Sequence, residues 1–487
     1  MRIATVMARD LEAAGHQAAA AVPHADLLEI RLDPLGETGR ERIGEFLGRL
    51  PLPVVATCRR RGDGGAFEAG EEARRALLHR ALDAGAAYLD VELGSVAESL
   101  IRPGVTRFIL SHHDPTAVPE DLEGIAARLR AREDVWMCKV AVTATRVTDC
   151  LRMRDLLAMR GPPLAAFCMG EAGRLSRILA RAWGSTATYG SAGDVAAAPG
   201  QLPVAELDEV YREGDLGPRT RLVGLLGHPI GHSLSPRIHN AAFHHLGLDW
   251  VYLPLATPDA GDGLRTAWGL GLRGLSVTTP HKETVLEHLT RRDDMVRRIH
   301  AANTVVLEGA AVIGWNTDVA AALEPLRSVM RLSGVQAAIL GTGGAARALA
   351  HGLRSAGARV AVFGRRAERA RRLAQEVGGS GGALEDVRGH PQDLLVNATP
   401  VGMWPEVDRV PVPAAWVHAG LVYDLVYNPR PTRLLRESAR SGSATLDGTA
   451  MFLAQAAAQF RIFTGEEAPE AVMGAALEAG LGEGTEP

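Results

Sequence analysis

Short apolar runs recur at fairly regular intervals over residues 1–212: RIATVM (2–7), LLEIRL (27–32), PVVATC (53–58), YLDVEL (88–93), RFILSH (107–112), VWMCKVAV (135–142), PLAAFCM (163–169) and ATYG (187–190). Most are separated by Ala/Leu/Arg/Glu stretches of helical period, such as AGEEARRALLHRALDAG. Brief apolar runs read as buried strands, and the 3.6-residue period between them reads as helices. Eight such units in so short a stretch predict a (β/α)8 barrel, with an eight-stranded doubly wound sheet as the competing architecture. Polar residues gather at the C-terminal ends of the runs: Glu29, Arg31, Arg59, Glu92, His112, His113 and Lys139. In a barrel, that end carries the chemistry.

The stretch YREGDLGPRT (211–220) reads as a short linker. The α/β pattern restarts with RLVGLLG (221–227), continues to about 320, and opens again at VQAAILGTGGAARALAHGLRSAGARVAVFGRR (335–366). A helix-like run, AMFLAQAAAQFRIFTG (450–465), is expected to pack back on the second region, and the tail GLGEGTEP to fray. The expected organisation is thus a barrel over 1–212, a substrate lobe over 219–330 completed by 450–480, and a Rossmann-like lobe over 331–449.

Composition narrows the function. A net charge of −4 offers no basic surface for nucleic acid or anionic lipid. No run of 18 apolar residues suggests a membrane span. Arg9, Asp10 and Glu12 interrupt the first residues, so a cytoplasmic protein is expected. Cys58, Cys138, Cys150 and Cys168 lack CxxC spacing and read as buried free thiols. Most telling, only Lys139 and Lys282 are lysines among 53 basic residues. Arginine stays protonated and forms no imine, whereas a desolvated lysine can attack a carbonyl or relay a proton. The two lysines are therefore the first candidates for catalysis.

Lys139 shares a strand face with Val135, Met137 and Ala141. Buried near a barrel mouth, it would supply an amine for a ketone, and His113 in SHHD could take the proton that an iminium acidifies. A zinc reading of His112-His113-Asp114 lacks a third ligand motif. EIRLD (29–33), TCR (57–59), SHHD (111–114), the strand lysine, GRLSR (173–177) and APGQ (198–201) together resemble type I 3-dehydroquinate dehydratase. The resemblance implies that Lys139 forms the Schiff base and that His113 removes the C2 proton and helps the C1 hydroxyl leave. It also implies that Glu29, Arg31, Arg59, Arg177 and Gln201 bind hydroxyls and carboxylate. Asp63 stands where that family often has glutamate, and Ala197 where a serine commonly touches substrate.

In the third region a strand leads into Gly341-x-Gly343-x-x-Ala346 and an alanine-rich helix, the pattern of a dinucleotide site. The next strand ends in Gly364-Arg365-Arg366, where an NAD site would want a carboxylate; arginines suit a 2′-phosphate, so NADP is expected, with Arg369 one turn on. Lys282 follows Pro280, and Asp318 opens VAAAL as either a helix N-cap or a partner for that lysine. A lysine held by an aspartate can protonate a ketone oxygen. GHPIGHSLSPRIHN (227–240), SVTTPHK (276–282), AANT (301–304), GWNTD (314–318), GTGGAAR (341–347), NATPVGM (397–403), YDLVYNP (423–429) and DGTAMFLAQA (447–456) resemble shikimate dehydrogenase in order.

That second resemblance implies Lys282 and Asp318 as the catalytic pair. Ser233, Ser235, Thr278, Asn303, Tyr427 and Gln455 would bind substrate. Gly341, Gly343, Gly344, Ala345, Arg365, Arg366, Arg369, Thr399 and Gly448 would line the cofactor. The serine-rich loop, rather than a metal, accounts for His228, His232 and His239. Ser276, Gly364 and Thr449-Ala450 depart from the usual pattern. The combined expectation is an α/β enzyme of the shikimate pathway that dehydrates 3-dehydroquinate and reduces 3-dehydroshikimate with NADPH. It would use small-molecule substrates and no metal, nucleic acid or membrane, and could form a homodimer. A quinate-directed NAD enzyme and a non-catalytic metabolite sensor are the rivals.

Overall fold

A computed structural model describes residues 1–483. The described chain divides into two compact units: Met1–Gly224 with Pro229–Gly231 and Asp249–Leu272, and Leu225–His228 with His232–Leu248 and the described residues from Arg273.

The first unit is built on β1 (Arg2–Val6), β2 (Leu27–Arg31), β3 (Val54–Thr57), β4 (Tyr88–Glu92), β5 (Arg107–Asp114), β6 (Met137–Thr143), β7 (Leu164–Met169) and β8 (Thr188–Ser191). Their order is β7-β6-β5-β4-β3-β2-β1-β8. Neighbours follow the chain without reversal, and β1 pairs in parallel with β8. A doubly wound sheet would reverse at a switch point, so this is the barrel. It is nearly closed: across the β7–β8 seam the Thr186 amide donates to the Leu164 carbonyl at 2.9 Å. The helix Glu71–Asp83 shows how the outer layer forms, burying Arg74, Leu77, Leu78 and Ala81 at helical spacing.

Inward-facing residues build the interior from the bottom. Ile3, Leu27, Val55, Ile109 and Met137 belong to one buried cluster. Two residues further along their strands, the same face carries Thr5, Glu29, Thr57, Ser111 and Lys139. Register places Thr5 beside Glu29, Thr57 beside Asp90, and Ser111 beside Lys139. A polar storey thus sits on an apolar one, toward the C-terminal mouth.

The remaining strands form two six-stranded sheets. The first comprises β9 (Arg221–Gly227), β10 (Trp250–Ala256), β11 (Gly274–Val277), β12 (Arg291–Arg292), β13 (Thr304–Glu308) and β14 (Ala311–Trp315), ordered β10-β9-β11-β13-β14-β12. The second comprises β15 (Gln336–Leu340), β16 (Arg359–Phe363), β17 (Ser380–Gly382), β18 (Leu394–Asn397), β19 (Leu421–Asp424) and β20 (Ala444–Leu446). Its order, β17-β16-β15-β18-β19-β20, is the 3-2-1-4-5-6 of a Rossmann sheet, all parallel. The crevice for a ligand opens where that order reverses, beyond β15 and β18.

The helix Thr449–Thr464 returns to pack on Asp318–Val329, and Glu470–Glu483 packs on Ser235–His245. Residues 480–483, expected to fray, instead complete that last helix, because Met473, Leu477 and Leu481 are buried along one face. Residues 484–487 of the expected tail lie outside the described residues. All four cysteines are buried and free. Among the described residues no helix is long and apolar enough to cross a membrane.

Candidate active sites

A cavity opens at the barrel mouth, and Lys139, His113, Glu29, Arg31, Arg59, Arg177 and Gln201 all line it. The structure therefore brings together the seven barrel residues that the resemblance implies, whereas Glu92 and His112, also at strand ends, do not line the cavity. Asp63 and Ala197 line it as well. Lys139 is almost fully buried, with Nζ 3.0 Å from Asp90 Oδ2, 3.4 Å from Glu29 Oε1 and 3.9 Å from the centre of the Tyr189 ring. A buried charge is costly unless paired, and around Lys139 the pairing is dense. Arg59 bridges Asp90 at 3.0 Å and Glu92 at 2.8 Å. Glu92 also takes buried Arg74 at 2.5 Å. Glu29 accepts hydroxyl hydrogen bonds from Thr5 at 2.8 Å and Thr57 at 2.9 Å.

The arginines differ in what they still have to offer. Arg31 is clamped by both oxygens of Asp33, at 2.8 and 2.7 Å. Arg177 has only the Tyr189 carbonyl at 3.3 Å and the Phe167 ring at 4.4 Å, and no carboxylate pairs with it among the described residues. Burial lowers its guanidinium to about 10. The positive charge left for an anion is therefore that of Arg177. Burial, and then the charges of Arg59 and Lys139, press His113 well below the ordinary histidine value. It stands neutral and competent as a base. Burial opposes ionisation of Asp90, yet Arg59 and Lys139 hold it far below the usual carboxylate range.

Asp90 escaped the sequence reading. It lies inside YLDVEL, which reads as one buried strand, although its parity with Glu92 places both on the inner face. Tyr189 was missed for the same reason, inside ATYG.

In the second unit Lys282 Nζ lies 2.5 Å from Asp318 Oδ2. Asp318 stands in the first turn of Asp318–Val329, after Thr317 at the cap. It is thus the lysine's partner and not an N-cap. Its other oxygen accepts from Asn303 Nδ2 at 2.9 Å, and Gln455 stands 3.5 Å from the same amide. Ser233 and Ser235 are 3.2 Å apart, and Tyr427 is tied to Ser233, with burial raising its phenol to about 12. Thr278 follows β11, four residues before Lys282. Buried Gln459, not anticipated, accepts from Ser276 at 2.7 Å and donates to the Asn303 carbonyl at 2.9 Å. Ser276, on β11, thus has an amide partner on the helix Thr449–Thr464. Buried His239 sits between Phe243, Phe460 and Phe463, where burial lowers it to about 3.

The turn after β15 fits a dinucleotide. Gly341 has φ of +118°, and a Cβ there would meet the Ala398 carbonyl at 2.9 Å and the Thr399 methyl at 3.1 Å. The helix Gly344–Ser355 starts at Gly343 with no side-chain cap and no acid in its first turn, leaving its amides for an anion. A Cβ on Gly344 would meet the Lys282 stem at 2.8 Å. Ala345 is the next residue of that first turn, and Gly448 caps Thr449–Thr464 against the Leu425 carbonyl. Arg365, Arg366 and Arg369 are exposed, and no carboxylate pairs with them among the described residues. Gly364 packs against Thr342, whose methyl a Cβ would meet at 2.9 Å. No cluster of three or more His, Cys, Asp or Glu suited to a metal occurs among the described residues.

A barrel with a buried lysine joined to a Rossmann-type reductase defines a two-site α/β enzyme. Comparison with known proteins makes the family specific. Residues 3–216 match the type I 3-dehydroquinase family and 225–305 the shikimate dehydrogenase substrate binding domain. Residues 448–478 match the shikimate 5′-dehydrogenase C-terminal domain, and 336–408 the family described as NADP oxidoreductase coenzyme F420-dependent. The chain is 36% identical over 476 residues to the chloroplastic bifunctional 3-dehydroquinate dehydratase/shikimate dehydrogenase of Arabidopsis thaliana, covering 92% of this chain and 79% of the relative. It is 42% identical to the shikimate dehydrogenase (NADP(+)) of Methanothermobacter thermautotrophicus, over 53% of this chain and 96% of that one. Among solved structures, a shikimate dehydrogenase in complex with NADP+ matches with TM-score 0.51 and 34% identity, over 55% of this chain and 97% of that one. The chain belongs to the family of bifunctional 3-dehydroquinate dehydratase/shikimate dehydrogenases. It is a lyase and an oxidoreductase of the shikimate pathway.

Proposed function

We propose that the barrel dehydrates 3-dehydroquinate to 3-dehydroshikimate and that the second unit reduces this ketone to shikimate with NADPH. The observation that carries the reading is the placing of a lysine, the chain's scarcest cation, at each site: Lys139 among buried carboxylates and Lys282 against Asp318. In the barrel, Lys139 Nζ attacks the C3 ketone and expels water, giving an iminium that acidifies C2–H. Neutral His113 removes the C2 proton and returns a proton to the departing C1 hydroxyl. Arg177 binds the carboxylate with Gln201, while Glu29, Arg31 and Arg59, held by their partners, orient the hydroxyls.

In the second unit, Ser233, Ser235 and Tyr427 hold the substrate carboxylate, and Thr278, Asn303 and Gln455 hold the ring hydroxyls. Lys282, oriented by Asp318, gives its proton to the ketone oxygen. NADPH, when bound, supplies the hydride. Gly341, Gly343, Gly344, Ala345, Thr399 and Gly448 are assigned to its cradle, and Arg365, Arg366 and Arg369 to the 2′-phosphate, which favours NADP over NAD. The domain boundaries we adopt are 1–212, 219–330 with 450–480, and 331–449. Four free buried thiols suit a reducing compartment, and we place the protein in the cytoplasm. A net charge of −4 favours small-molecule partners over nucleic acid, and a homodimer is the assembly to test by light scattering.

Borohydride added during turnover of 3-dehydroquinate tests the barrel assignment. The peptide containing Lys139 should gain the mass of the reduced adduct. An adduct on another residue, or none, overturns it.

A further inference from the structure

Asp90 does not line the cavity, yet one of its oxygens is 3.0 Å from Lys139 Nζ. It is fully buried under the lysine, so no substrate atom reaches it. Three donors fix it: Lys139, Arg59 Nη2 at 3.0 Å and the Ser111 hydroxyl at 2.6 Å. Asp90 lies in register with Thr57 on β3 and Ile109 on β5, so β4 is paired on both sides at this position. Glu29 differs: it lines the cavity, sits farther from the amine at 3.4 Å, and is occupied by two threonine hydroxyls.

We propose that Asp90 is the dedicated counter-ion of the Lys139 nitrogen, holding its positive charge from ammonium through iminium. The inference rests on Lys139 forming the imine. In net terms R–NH3+ and O=C become R–NH+=C and water, so the charge on nitrogen is the same before and after. The proton lost to reach the free amine leaves in the released water. One immobile carboxylate therefore serves both states without reorganising. Keeping the imine protonated preserves the electron sink on which removal of C2–H depends. Arg59 and Ser111 keep Asp90 an acceptor and prevent it from acting as a proton carrier.

The test is the pH profile of dehydration by the full chain carrying Asp90→Asn. The amide keeps the shape and can still accept from Lys139 and Arg59. The other charged and titratable groups lining the cavity with Lys139 are Glu29, Arg31, Arg59, Asp63, His113, Arg177 and Tyr189, all unchanged. With the negative charge gone, the iminium proton is lost at lower pH, and the alkaline limb of kcat moves down by about one to three pH units. KM changes much less than kcat, because Asp90 touches no substrate, and Asp90→Glu restores the limb toward its original position. If wild type is trapped on Lys139 by borohydride but the Asp90→Asn limb stays in place, the counter-ion role is wrong while the imine stands. If wild type is not trapped, the underlying assignment falls. Should the variant fail to fold, the crystal structure of the borohydride-reduced wild-type adduct decides. An Asp90 oxygen within hydrogen-bonding distance of the new secondary amine supports the role, and a broken pair overturns it.

Discussion

Gly344→Ala isolates a contact between the nucleotide turn and the proton donor. The new Cβ would lie 2.8 Å from Lys282 Cβ and 2.9 Å from Cδ, where ordinary contact begins at 3.4 Å. The lysine stem must therefore retreat by about 0.6 Å, and the clash is with its root, not its mobile end. Lys282 Nζ is held 2.5 Å from Asp318, so the shift is felt at the proton donor. Misplacing a catalytic group by about 1 Å can cost about 100-fold, so reduction of 3-dehydroshikimate should lose about 10- to 100-fold in kcat. NADPH oxidation measures that loss, and dehydration by the same sample is the internal control and should be unchanged. NADPH affinity, read separately by fluorescence titration, should move much less than kcat. A normal kcat with raised KM for NADPH would show that Gly344 serves only the cofactor, and would refute the reasoning.

Lys282→Ala should lower reduction by about 100- to 10,000-fold while dehydration persists; loss of both would show that the sites are coupled or misassigned. Arg365→Ala should raise KM for NADPH about tenfold or more and leave NAD turnover unaffected, since charge-assisted bonds to a phosphate contribute roughly 1.5–3 kcal/mol. His113 must be neutral to act as base, so dehydration falls as pH drops through its pKa. Because burial and two cations lower that value, the acid limb of kcat/KM should lie below 6.5, and a limb above 6.5 would contradict the assignment. His239, lowered to about 3, is neutral when folded but takes a proton on unfolding below 6.5. Its contribution to stability is present above 6.5 and is lost as pH falls, by about 2 kcal/mol at pH 5. His239→Phe should flatten that part of the pH dependence in urea unfolding; an unchanged slope would assign it elsewhere.

What could be read from the sequence depended on the range of the signal. Strand period, glycine turns and the scarcity of lysine are local, so the barrel, the dinucleotide turn and both lysines were visible. Pairings set by strand register were not. Asp90 meets Lys139 only because β4, β5 and β6 lie side by side, and nothing within YLDVEL points to that neighbour. Gln459 reaches Ser276 across 183 residues, and Gly344 touches Lys282 only in the folded lobe. Arg31 ends β2 and Asp33 follows two residues on, so their pairing is legible in EIRLD beside the substrate contacts that the motif implies. Within GWNTD, Asp318 reads equally as cap or partner, because only the distance to Lys282 separates the two roles.

The two-lysine account is tested most directly by charge-preserving replacement, with 3-dehydroquinate and NADPH supplied together and products resolved over time. Lys139→Arg should leave 3-dehydroquinate untouched yet still reduce added 3-dehydroshikimate. Lys282→Arg should accumulate 3-dehydroshikimate and stop. Formation of shikimate from 3-dehydroquinate by either arginine variant at a rate near that of wild type would contradict the account.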